Sequence, residues 1–153
     1  MRLADVYTLT PEDLAFIRAT APGPSPTLTL AVLLKVFQRL GHMPHLQDVP
    51  FAIVAHVRAS LPLPAQTALD VTPRTLYRHH EQIRAHLRVR SWGPEARHAT
   101  IVAVHQAAQV MDHSADLINV AIEELVRQRF ELPAFSTLDT LATHVRAVVH
   151  RRL

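Results

Sequence analysis

The sequence has no cysteine. That excludes disulfide scaffolds, cysteine-ligated zinc, iron–sulfur clusters and cysteine nucleophiles. It fits a reducing compartment. Only three of the 153 residues are glycine. Neither GxGxxG nor GxxxxGK[ST] occurs, so the phosphate loops of most nucleotide-binding α/β enzymes are missing. Lysine is almost absent, because 15 of the 16 basic residues are arginine. Long hydrophobic runs are missing too. The most apolar stretch, Leu28 to Phe37, is broken by Lys35, whereas a membrane helix needs roughly twenty apolar residues. Met1 to Thr10 contains Asp5 and no apolar run of signal-peptide length. The expectation is a cytoplasmic protein with no membrane partner.

What is present favours a folded domain. Apolar residues are 48% of the chain, enough for burial to offset the entropy of ordering. The formal net charge is +3, yet the isoelectric point is about 10.2. Arginine explains the contrast, since it does not titrate in this range. Eleven histidines would make the chain far more cationic below about pH 6. The composition is not that of a polycationic tail. Any nucleic-acid reading must rest on where the charge sits.

Strand signals are weak, and helix starts recur. Several follow one rule: a hydroxyl N-cap, then proline or an acid in the first turn. Thr10 precedes Pro11-Glu12-Asp13, with Leu14, Ile17 and Arg18 on the helix that follows. Pro22-Gly23-Pro24-Ser25-Pro26 reads as a loop. A second helix is expected from about Leu28 to Leu40, ending at Gly41. A third starts near Pro50 and buries Phe51, Val54 and Val57. Leu61 to Asp70 reads as irregular or as one short helical turn, and Thr72 caps a fourth helix opened by Pro73 and running to about Leu87. Pro94-Glu95 opens the next, with Ile101, Val104 and Ala108 on one face. Ser114 is expected to cap a helix carrying Leu117, Ala121 and Leu125. Ser136, with Asp139 three residues on, reads as a capping box for the last. The fold class is therefore all-α: a multi-helix bundle of about seven helices with helix-turn-helix-like units. Residues 1–90 would form one helical subdomain and 94–153 a second.

The segment Val71 to Arg90, VTPRTLYRHHEQIRAHLRVR, is the most informative. At about 100° per residue, Leu76, His80, Ile83 and Leu87 fall within roughly 60° of one another and form the expected buried stripe. Arg74, Arg78, Glu81, Gln82 and Ala85 fall opposite. Tyr77 and Arg84 flank one edge, His79 and His86 the other. From Thr72 to His98 there are six arginines against two acids. That local excess is larger than the net charge of the whole chain.

An Arg-rich helix with Thr and Gln on its open face suits a DNA major groove. Arginine can fork onto guanine O6 and N7, and glutamine can pair with adenine N6 and N7. Threonine hydroxyls suit phosphate oxygens. Arg74, Arg78 and Gln82 are the candidate base readers. Thr72, Thr75, Arg84, Arg88 and Arg90 are candidate backbone positioners, with His79 at the edge. The helix from Pro50 to about Leu61 would be the supporting helix, although the connection exceeds the three or four residues of a compact helix-turn-helix. The plainer reading is a surface helix whose arginines are merely solvated.

A second candidate pair closes the chain. Leu138, Leu141, Val145 and Val148 of the last helix are expected to face inward. Thr137, Thr140, Thr143 and His144 then lie outward or at the edges, with Thr137 and Thr140 as candidate contacts. Simple packing explains this pattern as well. Other chemistries find little support. His80-Glu81 begins like HExxH, but Arg84 stands where the second histidine should be. There is no paired-carboxylate constellation and no GxSxG elbow. No metal and no cofactor are expected. Trp92, in Arg90-Ser91-Trp92-Gly93, reads as an anchor between subdomains more than a base-stacking platform.

Three blocks carry a resemblance to a known family. They are the opening LTPEDLAFIR (Leu9 to Arg18), the pattern Thr75-x-x-x-His79-x-x-x-Ile83-Arg84-x-x-Leu87, and Leu132-Pro133-x-x-Ser136-Thr137-Leu138. Their order and spacing resemble the N-terminal region of the large transposases of the Tn-three family of replicative bacterial transposons. The resemblance implies a helical region that binds the terminal inverted repeats as double-stranded DNA. The catalytic domain of that family lies downstream, so this chain would bind ends without cutting or joining them and would not itself be an enzyme. It would act in the bacterial cytosol, nucleoid-associated when DNA-bound, and could dimerise through a full-length protein. Two departures stand out. Arg88 replaces the glycine that usually follows the central block, and Val89 replaces an aromatic residue. Those two replacements would let the helix run on past Leu87 and bear on the local turn, not on the recognition face. The last helix stops in apolar phase, which reads as a fragment or truncated product. The alternatives are a helix-turn-helix regulator or accessory factor, and a helical protein-interaction domain whose Arg face docks an acidic partner.

Overall fold

The computed structural model describes residues 2–151. Eight α-helices occur among them: α1 (Leu3–Tyr7), α2 (Pro11–Thr20), α3 (Pro24–Leu40), α4 (Phe51–Ala59), α5 (Pro73–Leu87), α6 (Pro94–Ala107), α7 (Ser114–Arg127) and α8 (Phe135–Arg151). The fold is all-α, as expected, with a single 3-10 turn at Leu46–Asp48. Helix α1 is the one the sequence reading missed. It is five residues long, with no side-chain cap and no buried residue. No helix among the described residues is long and apolar enough to cross a membrane. The chain divides into two compact units, one ending at Leu87 and the other starting at Arg88.

The first unit is built around α3. Helices α1, α2, α4 and α5 all pack against it. Every residue from Leu28 to Phe37 is buried, so the helix has no solvent face along that stretch. The ten-residue apolar run is thus a central helix. It begins earlier than expected, because the segment read as a loop supplies its first turn. Gly23 sits at the N-cap with φ +82°, and Pro24 occupies the first helical position. Proline fits there, since its missing N–H would have no intrahelical partner. Gly41 ends the helix in the left-handed region (φ +79°), its N–H donating to the Phe37 carbonyl at 2.8 Å.

A helix enclosed on all sides must neutralise its one charge. The Lys35 ammonium donates to Asp13 Oδ2 of α2 at 2.8 Å, and both side chains are about 5% exposed. The same carboxylate accepts from the Thr10 N–H at 2.9 Å and from Gln38 Nε2 at 3.1 Å. Thr10 Oγ1 in turn accepts the Asp13 N–H, completing a capping box. Asp13 therefore caps α2 and also holds the charge of α3. Burial alone would raise its pKa. The bonds from Lys35, Thr10 and Gln38 outweigh burial and hold the carboxyl below its ordinary value.

Helix α4 departs from the expected pattern. Phe51 is 78% exposed, and Ile53 joins Val54 and Val57 inside instead. Phe51 is the first residue of α4, ahead of the stripe that meets α3. The α4 helix packs on α1 and α3, while α5 packs on α3. The helix supporting α5 is therefore α3, not the expected α4.

The second unit is a three-helix bundle in which α6, α7 and α8 all pack on one another. Val104, Leu117, Ala121, Leu125, Leu138, Ala142 and Val149 form its core, with Trp92 packed at the edge. Val149 is inside and Val148 is 42% exposed, the reverse of the expected choice for Val148. Both hydroxyl caps predicted here fail. Helix α7 is capped by His113 without a side-chain bond, and Ser114 Oγ instead accepts from Arg146 Nη1 at 3.1 Å. The same Arg146 nitrogen reaches the Asp112 carbonyl, tying α8 to the α6–α7 connection. Helix α8 begins at Phe135, so Ser136 lies inside its first turn, and the Ala134 carbonyl receives the first N–H groups.

Helix α5 stops at Leu87, the end its pattern suggests, and does not run on through the two replaced family positions. Arg88 takes φ +56°, the left-handed conformation in which glycine carries no Cβ penalty. Arg129, past the end of α7, does the same at φ +61°. The segments that follow pair in a single parallel bridge. The Arg90 N–H donates to the Arg129 carbonyl and the Glu131 N–H to the Arg90 carbonyl, each at 2.7 Å. Arg129 Nε donates to the Arg88 carbonyl at 3.0 Å.

Two stability predictions follow from these features. Asp13→Ala leaves the Lys35 ammonium buried without its carboxylate, and urea denaturation should show a loss of about 3–5 kcal/mol. A loss below about 1 kcal/mol would mean the pair does not hold the unit. Because the folded pKa of Asp13 is depressed, its contribution is complete above the unfolded value and fades as pH falls through the folded one. Arg88→Gly removes the left-handed penalty and should stabilise the chain by roughly 0.5–1 kcal/mol in the same measurement. Arg88→Val should destabilise it.

Candidate nucleic-acid interface

Helix α5 carries most of the candidate contacts. Thr72 caps it as expected, its Oγ1 accepting the Thr75 N–H at 3.2 Å. The Thr72 hydroxyl then donates to Thr75 Oγ1 at 3.0 Å. Arg74, Tyr77 and Arg78 are exposed, with Tyr77 at 67%. Gln82 is half-buried. Arg84 is mostly covered and pairs with Glu81 at 2.9 Å, so its charge is already engaged.

The buried stripe is rotated from its expected position. His79, expected at the edge and among the DNA contacts, is only 3% exposed. His80, expected inside, is half-buried, and Ile83 is fully buried. The reason lies in the partner helices. Phe16 of α2 stacks on His86 at 4.0 Å between centroids, which turns the edge carrying His79 and His86 toward the neighbouring helices and leaves His79 buried and His86 half-buried. His79 Nδ1 lies 3.5 Å from Gln82 Oε1. Burial pushes the His79 pKa down, and the Arg78 charge adds to this, while Gln82 and the Pro26 carbonyl pull the other way. The ring is therefore neutral at pH 7. It is a buried group of the first unit, not the edge contact expected from the wheel.

The geometry also gathers residues that the sequence reading kept apart. Thr75, Arg78, His79 and Gln82 line a cavity of about 140 Å³. Thr20, Pro22 and Pro26 complete its wall from the end of α2 and the start of α3. No local signal announces those three, because they are far from α5 in sequence and meet it only through tertiary packing.

In the second unit, Arg90 is committed elsewhere. Its guanidinium bonds Glu95 Oε1 at 2.8 Å and the Gln128 carbonyl at 3.0 Å, and sits 3.9 Å over the Phe130 ring. Arg88 is exposed, with its backbone in the bridge region described above. Thr137 is half-buried and Thr140 exposed. Both line a shallow hollow of about 410 Å³ with Trp92, Arg97 and Ser136. Trp92 and Arg97 were not among the candidate contacts, although Arg97 belongs to the basic excess. A third hollow, of about 510 Å³, includes Glu124, which accepts from Arg127 and Gln128. Those bonds hold the Glu124 pKa at about 2.

The match to known families covers both units. A family model described as "Domain of unknown function (DUF4158)" aligns with residues 1–145. The chain belongs to the DUF4158 family. No curated protein matches it. In this DUF4158 chain the α5 face and the α8 hollow both lie inside the matched region.

Arg90 separates structural from binding roles. Arg90→Ala should lower stability by about 1 kcal/mol through the lost cation–π contact and hydrogen bonds. Thermal or urea unfolding checks this without any ligand. An unchanged midpoint would return Arg90 to the pool of free surface cations.

Proposed function

We propose that this DUF4158 chain binds double-stranded DNA in a sequence-specific way, as the end-recognition region of a transposase resembling the Tn-three family. One observation carries the reading. Helix α5 turns Arg74, Tyr77 and Arg78 outward, while His79 and Ile83 anchor its other side in the core. A firmly seated helix with forked donors on its open side suits major-groove reading. The α8 hollow, with Arg97, Thr137 and Thr140, is the second candidate contact, suited to phosphate oxygens. The ends bound would be terminal inverted repeats, and any strand cutting or joining would belong to a downstream domain.

Selection of bound duplexes from a random pool tests this directly. A single enriched motif is the expected result, with affinity falling steeply as salt rises through counterion release. Arg74→Ala should relax the motif at one position and cost roughly 1–3 kcal/mol. Failure to enrich any duplex sinks the reading. An enriched motif unrelated to transposon ends would instead favour a regulator or accessory factor.

A further inference from the structure

The cavity between α5, the end of α2 and the start of α3 has a chemistry of its own. Its lining is Thr20, Thr75, Arg78, His79 and Gln82, with Pro22 and Pro26 completing the wall. No carboxylate lines it. The groups present are mainly donors. Arg78 brings a permanent positive charge. Thr75 Oγ1 already accepts from Thr72, which leaves its own proton to give. His79 is buried; the Pro26 carbonyl acts on its ring, yet Nε2 makes no well-formed hydrogen bond. Turning the Gln82 amide over would place its nitrogen at His79 Nδ1, so the ring could carry its proton on Nε2 and donate. Gln82 would keep its second N–H.

A small cavity with one cation, several donors and no acid fits an anion. We propose that it seats a phosphate oxyanion, and that in the complex this is a single backbone phosphate of the bound duplex. The second half of that statement rests on the DNA reading above. The volume, about 140 Å³, suits one tetrahedral oxyanion and is far too small for a base pair. Arg78 and Gln82 then act as phosphate anchors, not as the base readers expected from the helical wheel. Base reading along α5 falls to Arg74. The anchor would fix the depth and rotation of α5 against the duplex, because both walls of the cavity belong to the packed first unit. Contacts of this kind position a protein without carrying sequence information.

Two measurements on the full chain test the proposal. In the first, inorganic phosphate is titrated while the His79 ring resonances are followed by NMR, with chloride at matched ionic strength as control. A saturable shift with phosphate alone, lost in Arg78→Ala and weakened in Thr75→Val, is the expected result. No saturable shift, or an equal response to chloride, overturns the site. The second compares parent and Arg78→Ala on the selected duplex and on a scrambled one across a salt series. A phosphate anchor predicts the same fold loss on both duplexes and a salt slope smaller by about 1. A loss confined to the selected duplex, with an unchanged slope, makes Arg78 a base reader and overturns the anchor. If the chain binds no duplex, the DNA reading and its backbone phosphate fall together, and the phosphate titration still decides the cavity.

Discussion

The first unit depends on one constraint: a helix wrapped by its neighbours has nowhere to put a charge. From Leu28 to Phe37, α3 is closed to solvent, yet it carries Lys35. The surrounding helices are arranged so that Asp13 meets that ammonium. A buried pair of this kind is poor evidence of net stability, because the desolvation of both ions offsets their attraction. Its value lies in registry. The bonds from Lys35 and Gln38 fix Asp13 of α2 against one stretch of α3, while the bonds with Thr10 hold the same carboxylate at the start of α2. Apolar packing tolerates small slips that this arrangement does not.

Much of the fold was legible in the sequence, for identifiable reasons. The Thr10 and Thr72 caps succeeded because each hydroxyl stands immediately before a proline at the first helical position. Ser114 and Ser136 carry the same hydroxyl but lie one or two residues inside their helices. A local rule could not see that Arg146 would claim Ser114. Helix α1 is too short for periodicity to register. The end of α5 near Leu87 was legible from the pattern, but the turn at Arg88 was not, because arginine is a good helix former and nothing local marks its left-handed conformation.

The candidate interface was legible in part. The wheel correctly left Arg74 and Arg78 in the open, since long charged side chains seek water. It misplaced His79, because histidine has no strong preference for either side and the choice fell to Phe16 and the α3 wall. Charge counting located the basic region but could not separate engaged arginines from available ones. Arg84 and Arg90 are held by Glu81, Glu95 and Phe130, whereas Arg74 and Arg78 point outward. The exposed charge not engaged in these contacts is thus smaller than the sequence total and more sharply placed.

The double duty of Asp13 also bears on how this chain can change over generations. Replacing Lys35 by an apolar residue first leaves a carboxylate that still accepts from Thr10 and Gln38. Replacing Asp13 first strands a buried ammonium and removes one half of the capping box, the bond from the Thr10 N–H, in one step. The two orders of substitution reach the same double variant through intermediates that strand opposite charges, a carboxylate that keeps two donors or an ammonium without its carboxylate, so the two routes are chemically unequal.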